Sequence, residues 1–294
     1  MALNKAVFKT RALTALVFVA VMLAGLFWNI WSFLILITLI HFGCWLEYLK
    51  IIEKIYKISF SYNYKAAITS GAFAVALSFY FLKTFIYGLE IWNYLLVTAG
   101  ICSFILLLAA IIKMKKNILN KASFAALGGV AYISFAIGML LQIRFGVCEE
   151  RLNACTFCNG YTVVFFIIFS IWINDTMAYL VGSFIGKTPL SKISPKKTWE
   201  GTIGGALLCV TVMGLAANFI PYFKHLAVIH YIAIAAICAV FGTLGDLVES
   251  KLKRLANVKD SGSFMPGHGG FLDRFDSLLI AIPFVWLYVQ LFIA

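Results

Sequence analysis

The chain has 294 residues, and its 24 Lys+Arg against 12 Asp+Glu give a formal net charge of +12. Hydrophobic residues make up 63% of the sequence and charged residues 12%, whereas about 25% charged residues is usual in soluble domains. So few polar residues could not cover a globular protein of this size, which excludes a soluble enzyme, a disordered protein and a secreted disulfide scaffold. A membrane protein with many spans remains. Because Lys and Arg are scattered in short clusters between apolar runs, we expect no nucleic-acid partner.

Apolar runs long enough to cross a bilayer as helices, which takes about 20 residues each, recur along the whole chain. We predict nine spans, at about 12–28, 30–47, 66–82, 91–112, 123–142, 161–182, 203–220, 228–248 and 275–293. The predicted fold is therefore all-α and polytopic. We treat residues 1–294 as a single membrane domain, with less distinctive spans over 1–160 and the spans and loops that we expect to be catalytic over 161–294.

Positive charges are divided very unequally between the two sides of the predicted bundle. The N-terminus and the loops after spans two, four, six and eight carry 20 of the Lys and Arg residues, and the other side carries 4. Under the positive-inside rule, this excess places the N-terminus and those loops in the cytoplasm. The C-terminus is then predicted to lie on the far side of the membrane.

The seven cysteines fall into two groups. Four lie within predicted spans, where Cys behaves as a small apolar residue. These are Cys44, Cys102, Cys209 and Cys238. The other three, Cys148, Cys155 and Cys158, share one far-side loop, which lacks the fourth ligand that zinc would need. We predict a structural disulfide if that side is oxidising, with plain thiols, a redox pair or a metal site as the alternatives.

Polar residues concentrate in the segment 245–277, which is unlike the rest of the chain. Span eight is expected to continue as a helix through Lys253. Asp246, Ser250, Lys253 and Arg254 then follow at i, i+4, i+7 and i+8, which places them on one stripe of that helix. The stripe carries a carboxylate, a hydroxyl and two cations.

A glycine-rich turn, Pro266–Gly270 with His268 at its centre, follows this helix. Its glycines permit close backbone approach, so that N–H groups can converge on an anion. Asp273, Arg274 and Asp276 then open span nine, and two carboxylates at i and i+3 repel each other unless a cation lies between them. A divalent metal ion is the natural cation, above all beside phosphate. A solvated basic loop with an N-capping Asp is the alternative, but it does not explain why carboxylates, cations, a histidine and a glycine-rich turn all lie in one loop.

Two further polar features lie on the same side of the predicted bundle. The loop Gly186–Gly201 carries four lysines, among them Lys196 and Lys197, which could instead contact anionic lipid headgroups. Asp175 lies inside span six, where an acidic residue is costly and usually functional, although pairing with a lysine of another span is the structural alternative. We expect Asp175 and the three other aspartates of these motifs to share one cavity that opens to the cytoplasm.

This set of side chains suits phosphate chemistry on a lipid. A lipid phosphomonoester is largely ionised at neutral pH, so it needs no general base to attack a nucleoside triphosphate. The obstacle is the repulsion between two polyanions. Metal ions and Lys or Arg side chains relieve that repulsion and stabilise the departing pyrophosphate. A site for such a reaction is rich in Asp, Lys and Arg and poor in His and Cys.

Three motifs in this region resemble those of the phosphatidate cytidylyltransferases, also called CDP-diacylglycerol synthases. The longest joins Ser250-Lys-Leu-Lys-Arg254, Lys259-Asp260, Pro266-Gly-His-Gly-Gly270 and Asp273-Arg-Phe-Asp276. The other two are Ser194-Pro-Lys-Lys-Thr-Trp-Glu-Gly201 and Asn174-Asp175-Thr-x-Ala-Tyr-x-x-Gly182. The resemblance covers about residues 174–277, whereas the N-terminal spans resemble the family only in being hydrophobic.

The resemblance implies the transfer of a cytidylyl group from CTP to phosphatidate, which gives CDP-diacylglycerol and pyrophosphate and requires Mg²⁺. A second, monovalent cation such as K⁺ and a homodimer are further family expectations. None of these follows from composition or spacing. We also expect a place in the bacterial inner (cell) membrane, with the active site facing the cytoplasm as the charge asymmetry predicts.

On these motifs we assign roles to individual residues. The metal ion is expected to be held by Asp246, Asp273 and Asp276. The residues expected to be catalytic are Asp246, Lys253, Arg254 and Asp273. The residues expected to bind the substrates are Ser250, Lys259, His268, Arg274, Lys196, Lys197 and Asp175. Of the cations, Lys253, Arg254, Lys259 and Arg274 are expected to bind phosphate groups, and Lys196 and Lys197 to approach the triphosphate. His268 is expected to shape the turn, and Asp175 to bind a second cation or to orient the lysines.

Two other functions stay open at this point. A secondary transporter for an anionic solute would use Asp175 and the lysine-rich loops, but it would not need the Pro266–Gly270 turn or the paired aspartates. A nucleotidyl or phosphoryl transferase that acts on another lipid would need much the same site. Metal-dependent release of pyrophosphate from CTP and phosphatidate would separate the synthase from the transporter.

The charge asymmetry makes a topological prediction. A reporter fused after Ala294 should lie on the far side of the membrane, and one inserted near Lys116 should lie in the cytoplasm, because an odd number of predicted spans separates them. Paired alkaline phosphatase and fluorescent-protein fusions in bacterial membranes measure both positions. Finding both reporters on the same side would contradict the nine-span prediction.

Overall fold

The computed structural model describes residues 5–87, 118–146, 160–220, 223, 226–264 and 269–293. Every long regular element in these ranges is a helix, and we label the helices in chain order. The first three are α1 (Lys5–Phe27), α2 (Ile30–Tyr56) and α3 (Tyr62–Tyr87). Helix α4 consists of Ile118–Gly129, a π-helical turn at Val130–Ser134 and Phe135–Gly146. The last four are α5 (Gly160–Ile185), α6 (Trp199–Phe219), α7 (Val228–Leu255) and α8 (Leu272–Phe292).

Within the described residues, six helices are long and apolar enough to cross a membrane. They are α2, the Lys121–Phe145 part of α4, and α5 to α8, while α1 contains the shorter apolar stretch Thr14–Phe27. Large apolar side chains such as Leu207 and Leu291 are exposed on the bundle surface, which suits contact with lipid. The chain is therefore an all-α, multi-pass membrane protein, as predicted. The predicted span 91–112 lies outside the described residues, so the number of nine spans, like the division near residue 160, stays a prediction.

Small residues allow α5 and α6 to pack with their backbones in contact. Gly201 and Gly205 lie one turn apart on α6, and a Cβ at Gly205 would come within 2.7 Å of the Cα of Ala178 on α5. In lipid, where apolar burial drives association weakly, such small-residue pairs stabilise helices through close van der Waals contact. Thr198 caps α6 by accepting the Gly201 N–H at 3.2 Å, which fixes the preceding loop at the start of this helix.

Helices α7 and α8 are antiparallel neighbours. Midway along the pair, the rings of Phe241 and Phe284 stack with centroids 3.5 Å apart. Farther toward the end of α7, a Cβ at Gly245 would lie 2.5 Å from the carbonyl oxygen of Asp276. Glycine at this position therefore lets the two backbones approach, and it brings the residue that follows it on α7 next to the first turns of α8.

The polar segments meet at one end of the bundle, which we call the polar end. It contains the last turns of α2, α5 and α7 and the first turns of α6 and α8. Helix α7 continues through Lys253 to Leu255, as predicted, and the loop between α7 and α8 folds back onto α2. Side chains from distant parts of the sequence therefore reach the same place.

The cysteine and glycine-turn predictions are only partly covered by the described residues. Cys44, Cys209 and Cys238 are free, buried thiols within helices, as expected of small apolar residues. Cys102 and the three loop cysteines lie outside the described residues, and so does His268. The disulfide between loop cysteines and the role of His268 in the turn therefore stay predictions.

Candidate functional site

A cavity of about 790 Å³ opens at the polar end between α1, α5, α7 and α8. Its lining includes apolar side chains such as Phe18, Val19, Ile171 and Trp172. The charged residues of the lining are Asp175, Asp246, Asp273, Asp276, Lys196, Lys197 and Arg274. The four aspartates that the sequence predicted to share a cavity do line the same one. Their roles as metal ligands stay a prediction.

The Lys253 side chain is held between two carboxylates. Its ammonium group donates to Asp273 Oδ1 at 2.6 Å and forms an ion pair with Glu249, one turn earlier on α7. The side chains of Lys253, Asp273 and Glu249 are 14%, 7% and 1% exposed. Two carboxylates this deeply buried need a cation close by, because an unpaired buried charge is strongly destabilising. Lys253 therefore stabilises the α7–α8 contact in addition to any role toward a substrate.

The second oxygen of Asp273 accepts hydrogen bonds from the loop that precedes α8. The Ser261 N–H donates to Asp273 Oδ2 at 2.9 Å and the Gly270 N–H donates to the same oxygen at 2.8 Å, while the Ser261 hydroxyl oxygen lies 2.9 Å away from it. Asp273 thus joins three parts of the chain: the end of α7 through Lys253, the middle of the loop, and the start of α8. A carboxylate oxygen has two lone pairs, so Oδ1 keeps acceptor capacity beside Lys253.

Asp246 is partly exposed to the cavity and has partners from two elements. It forms an ion pair with Lys197 of the loop before α6, and it accepts a hydrogen bond from Ser250 Oγ at 3.2 Å. The i, i+4 relation between Asp246 and Ser250 is the one that the sequence predicted. Ser250 here donates to this aspartate, whereas a hydrogen bond to a phosphate group stays a prediction.

Four predicted phosphate-binding cations are exposed in this structure. They are Lys196, Arg254, Lys259 and Arg274. Of these, Lys196 and Arg274 line the cavity, whereas Arg254 and Lys259 lie outside its lining. Arg254 makes a long contact of 3.5 Å from Nη1 to the carbonyl oxygen of Val258. The adjacent residues Lys253 and Arg254 therefore differ sharply, since one is enclosed by carboxylates and the other extends into solvent.

Glu200 fixes the shape of the lysine-bearing loop. Its carboxylate accepts the backbone N–H groups of Lys187 and Thr188 at 3.1–3.2 Å. The N–H of Leu190 donates to the carbonyl oxygen of Lys197 at 2.7 Å, so the two sides of the loop are paired. This pairing keeps the lysines beside the cavity rather than free in solvent. Glu200 belongs to the motif Ser194–Gly201, but this role was not predicted from the sequence.

A model of the cytidylyltransferase family matches residues 9–292. The chain belongs to this family. It is 42% identical over 178 residues to the phosphatidate cytidylyltransferase of Bacillus subtilis, which covers 59% of this chain and 62% of that protein. The phosphatidate cytidylyltransferases of Staphylococcus saprophyticus and Haemophilus influenzae are each 36% identical, over 182 and 173 residues, which cover 62% and 56% of this chain. These matches span 64% and 59% of the two relatives, so the aligned part is less than two thirds of each.

Sequence reasoning missed two buried acidic residues of this family member. Glu249 lies on α7, three residues after Asp246, and Glu47 lies on α2, more than 200 residues away in sequence from the loop that it contacts. Both side chains are buried at the polar end. Both residues could have been found from the sequence, because an acidic residue within an apolar helix needs a partner for its charge. From the sequence, this reasoning was applied to Asp175 alone.

The carboxylates of the cavity suit a magnesium ion that is bound together with a substrate. Among the described residues, no group of three or more His, Cys, Asp or Glu side chains is placed to hold a metal ion without other ligands. Mg²⁺ usually keeps several waters and binds through one or two carboxylates plus substrate phosphates, so fewer protein ligands are sufficient. Asp246 and Asp276 reach the cavity from facing helices, and Asp273 lies one turn before Asp276. One or two of these carboxylates could serve in this way, and the full set of three ligands stays a prediction.

The contrast between the enclosed Lys253 and the exposed Arg254 can be tested directly. Lys253→Ala leaves Glu249 and Asp273 without their cation, and breaking such a buried pair costs about 3–5 kcal/mol. We expect a markedly lower midpoint of thermal unfolding in detergent. Arg254→Ala should change the stability by less than about 0.5 kcal/mol, because the side chain is exposed. A Lys253→Ala protein that melts like the wild type would refute the structural role of this lysine.

Proposed function

We propose that this protein transfers a cytidylyl group from CTP to phosphatidate, giving CDP-diacylglycerol and pyrophosphate for phospholipid synthesis. The observation that carries the proposal is the cavity at the polar end, whose lining contains carboxylates and cations together with apolar side chains. Such a lining suits a substrate with a phosphate headgroup and acyl chains. The printed names of the relatives, which are phosphatidate cytidylyltransferases, support the same activity.

The proposed reaction needs little or no general-base catalysis, because the attacking lipid phosphate is already largely ionised. An oxygen of the ionised lipid phosphate attacks the α-phosphorus of CTP, the bond to the bridging oxygen of the β-phosphate breaks, and pyrophosphate leaves with the bonding electrons. The protein must hold the two polyanions together and stabilise the leaving group. Lys196 and Arg274 line the cavity with exposed side chains and would bind phosphate oxygens, and Arg254 and Lys259 would meet the triphosphate from outside the cavity.

The proposed cofactor is Mg²⁺, held by Asp246, Asp273 and Asp276. When bound, it would neutralise phosphate charge and polarise the phosphoryl oxygens at the reacting centre. Asp175, on the α5 wall of the same cavity, would bind a second, monovalent cation such as K⁺ or would orient the lysines. We further propose a homodimer as the working form.

The polar end is proposed to face the cytoplasm of a bacterial cell, in the inner membrane. The excess of Lys and Arg in the loops at that end supports this orientation. The supply of CTP on the cytoplasmic side supports it as well. Phosphatidate would reach the cavity from the inner leaflet, so both substrates would enter at the same end of the bundle.

The proposal is tested with the purified full chain in mixed micelles. We expect pyrophosphate release that needs CTP, phosphatidate and Mg²⁺ together, and that stops when the metal ion is chelated. A transporter of anionic solutes, the second candidate, would instead move its solute into proteoliposomes without any turnover of CTP. Absence of pyrophosphate release from protein that is folded and monodisperse would rule the synthase out.

The metal assignment predicts a specific loss of activity. Asp246→Asn and Asp273→Asn keep side-chain volume but remove ligand charge. Electrostatic stabilisation of the transition state by a group of this kind contributes roughly 10²- to 10³-fold to the rate. We expect the initial rate to fall at least that far and the Mg²⁺ requirement to rise in each variant. Asp260→Asn is the matched control, since Asp260 is exposed in the loop and lies outside the cavity lining.

The measurement is the initial rate against Mg²⁺ concentration for each variant and for the control. A near-normal rate and an unchanged Mg²⁺ dependence for Asp273→Asn would mean that these carboxylates are only structural.

A further inference from the structure

Glu47 carries a buried carboxylate that faces the loop between α7 and α8. It lies on α2 and is 6% exposed. Its Oε2 accepts the Ser261 hydroxyl at 2.6 Å and the Leu272 backbone N–H at 2.9 Å. One oxygen atom of α2 therefore binds both the middle of the loop and the first residue of α8.

The loop backbone is closed tightly around this carboxylate. A Cβ added at Gly262 or at Gly270 would fall within the volume that the Glu47 oxygens occupy. Two glycines of the segment that resembles the family signature are therefore in direct contact with a residue that lies far outside it. This fit leaves no room for a shift of the loop toward α2.

The residues that contact Glu47 are the ones that hold Asp273. Ser261 and Gly270 donate their backbone N–H groups to Asp273 Oδ2, and the Asp273 N–H lies 3.3 Å from the Ser261 hydroxyl oxygen. Glu47 Oε2 is the nearer acceptor for the single Ser261 hydroxyl proton, at 2.6 Å against 2.9 Å for Asp273 Oδ2, and the Ser261 oxygen can accept from that N–H. Asp273 in turn binds Lys253, so a continuous series of contacts runs from α2 to the end of α7.

We propose that Glu47 is a positioning residue that sets the location of Asp273 and Lys253 for the proposed reaction. The inference rests on the proposed function, because it assigns Glu47 to the same site. Glu47 does not line the cavity and would not touch a substrate. It acts through Ser261 and Leu272. A displacement of reacting groups by about 1 Å can cost roughly 100-fold in rate, so such an anchor affects turnover more than substrate binding.

Three substitutions separate the position of the carboxylate from its charge. Glu47→Ala removes both hydrogen bonds, and Glu47→Asp keeps the charge but withdraws it from the loop. Glu47→Gln keeps an oxygen that can accept from both Ser261 and Leu272, since both donors meet the same atom. Glu53→Gln is the matched control, because Glu53 lies on the same helix and binds Lys65 and the Phe60 N–H, away from the cavity.

The kinetic result expected is a fall in kcat of roughly 10- to 100-fold for Glu47→Ala and Glu47→Asp, with the KM for CTP within about 3-fold of the wild type. Glu47→Gln and Glu53→Gln should stay within about 3-fold in both parameters. Ser261→Ala should lower kcat as well, and the loss in the Glu47→Ala/Ser261→Ala double variant should be smaller than the product of the two single losses, since both variants remove the Glu47–Ser261 contact. Should Glu47→Ala fail to purify, Glu47→Asp with Ser261→Ala gives the same test.

Hydrogen–deuterium exchange of the full-length protein provides a second readout that needs no activity. Peptides that cover 259–275 should exchange faster in Glu47→Asp than in the wild type, and at the wild-type rate in Glu53→Gln. Unchanged exchange, a kcat for Glu47→Asp near that of the wild type, or a Glu47→Gln as slow as Glu47→Asp would each overturn the inference. If the wild type makes no CDP-diacylglycerol while exchange still rises, the proposed function fails and the anchoring of Asp273 by Glu47 stands.

Discussion

The arrangement of the polar end depends on the pairing of the Lys253 ammonium group with the carboxylates of Glu249 and Asp273. Burying charges inside an apolar bundle is costly, and the cost is tolerable only where opposite charges and hydrogen-bond donors meet closely. Glu249 and Lys253 belong to α7, whereas Asp273 belongs to α8, so satisfying these charges also joins the two helices. The close approach at Gly245 and the stacked rings of Phe241 and Phe284 continue the same contact toward the bundle centre.

Around this triad, the charged residues divide into two sets with different surroundings. The inner set is buried against other charged groups or donors of the protein and includes Glu47, Glu249 and Lys253. The outer set lines the cavity and includes Asp175, Asp246, Asp276, Arg274 and Lys196. Asp273 connects the two sets, because it lines the cavity and also binds Lys253. In the proposed reaction, which must bring two polyanions together, the inner set would hold the geometry and the outer set would meet the substrates.

Much of the fold follows from the sequence, because apolar runs and their charged boundaries are local properties. The continuation of α7 through Lys253 and the Asp246–Ser250 contact follow from helical spacing alone. The opposite surroundings of Lys253 and Arg254 could not be predicted in this way. Adjacent residues point about 100° apart on a helix, and which of them meets a carboxylate depends on where α8 packs.

The Glu47 contacts show a different limit of sequence reasoning. Glu47 and Ser261 are 214 residues apart, and neither belongs to a pattern that pairs them. Only the packing of α2 against the α7–α8 loop brings them together. The sequence does indicate that Glu47 needs a partner, since burying an acidic side chain in an apolar helix costs free energy unless a hydrogen-bond donor lies close to it. The roles of His268 and of the loop cysteines lie outside the described residues and stay predictions.

The cavity is proposed to be the place where the lipid phosphate is joined to the α-phosphate of CTP. The most direct test follows labelled phosphate into the lipid product of the purified full chain, supplied with phosphatidate and Mg²⁺. With CTP labelled at the α-phosphate, the label should appear in the solvent-extracted lipid, and with CTP labelled at the γ-phosphate it should appear only in pyrophosphate. Label from the γ-phosphate in the lipid would indicate a phosphoryl transferase, and lipid without label from either position would contradict the account.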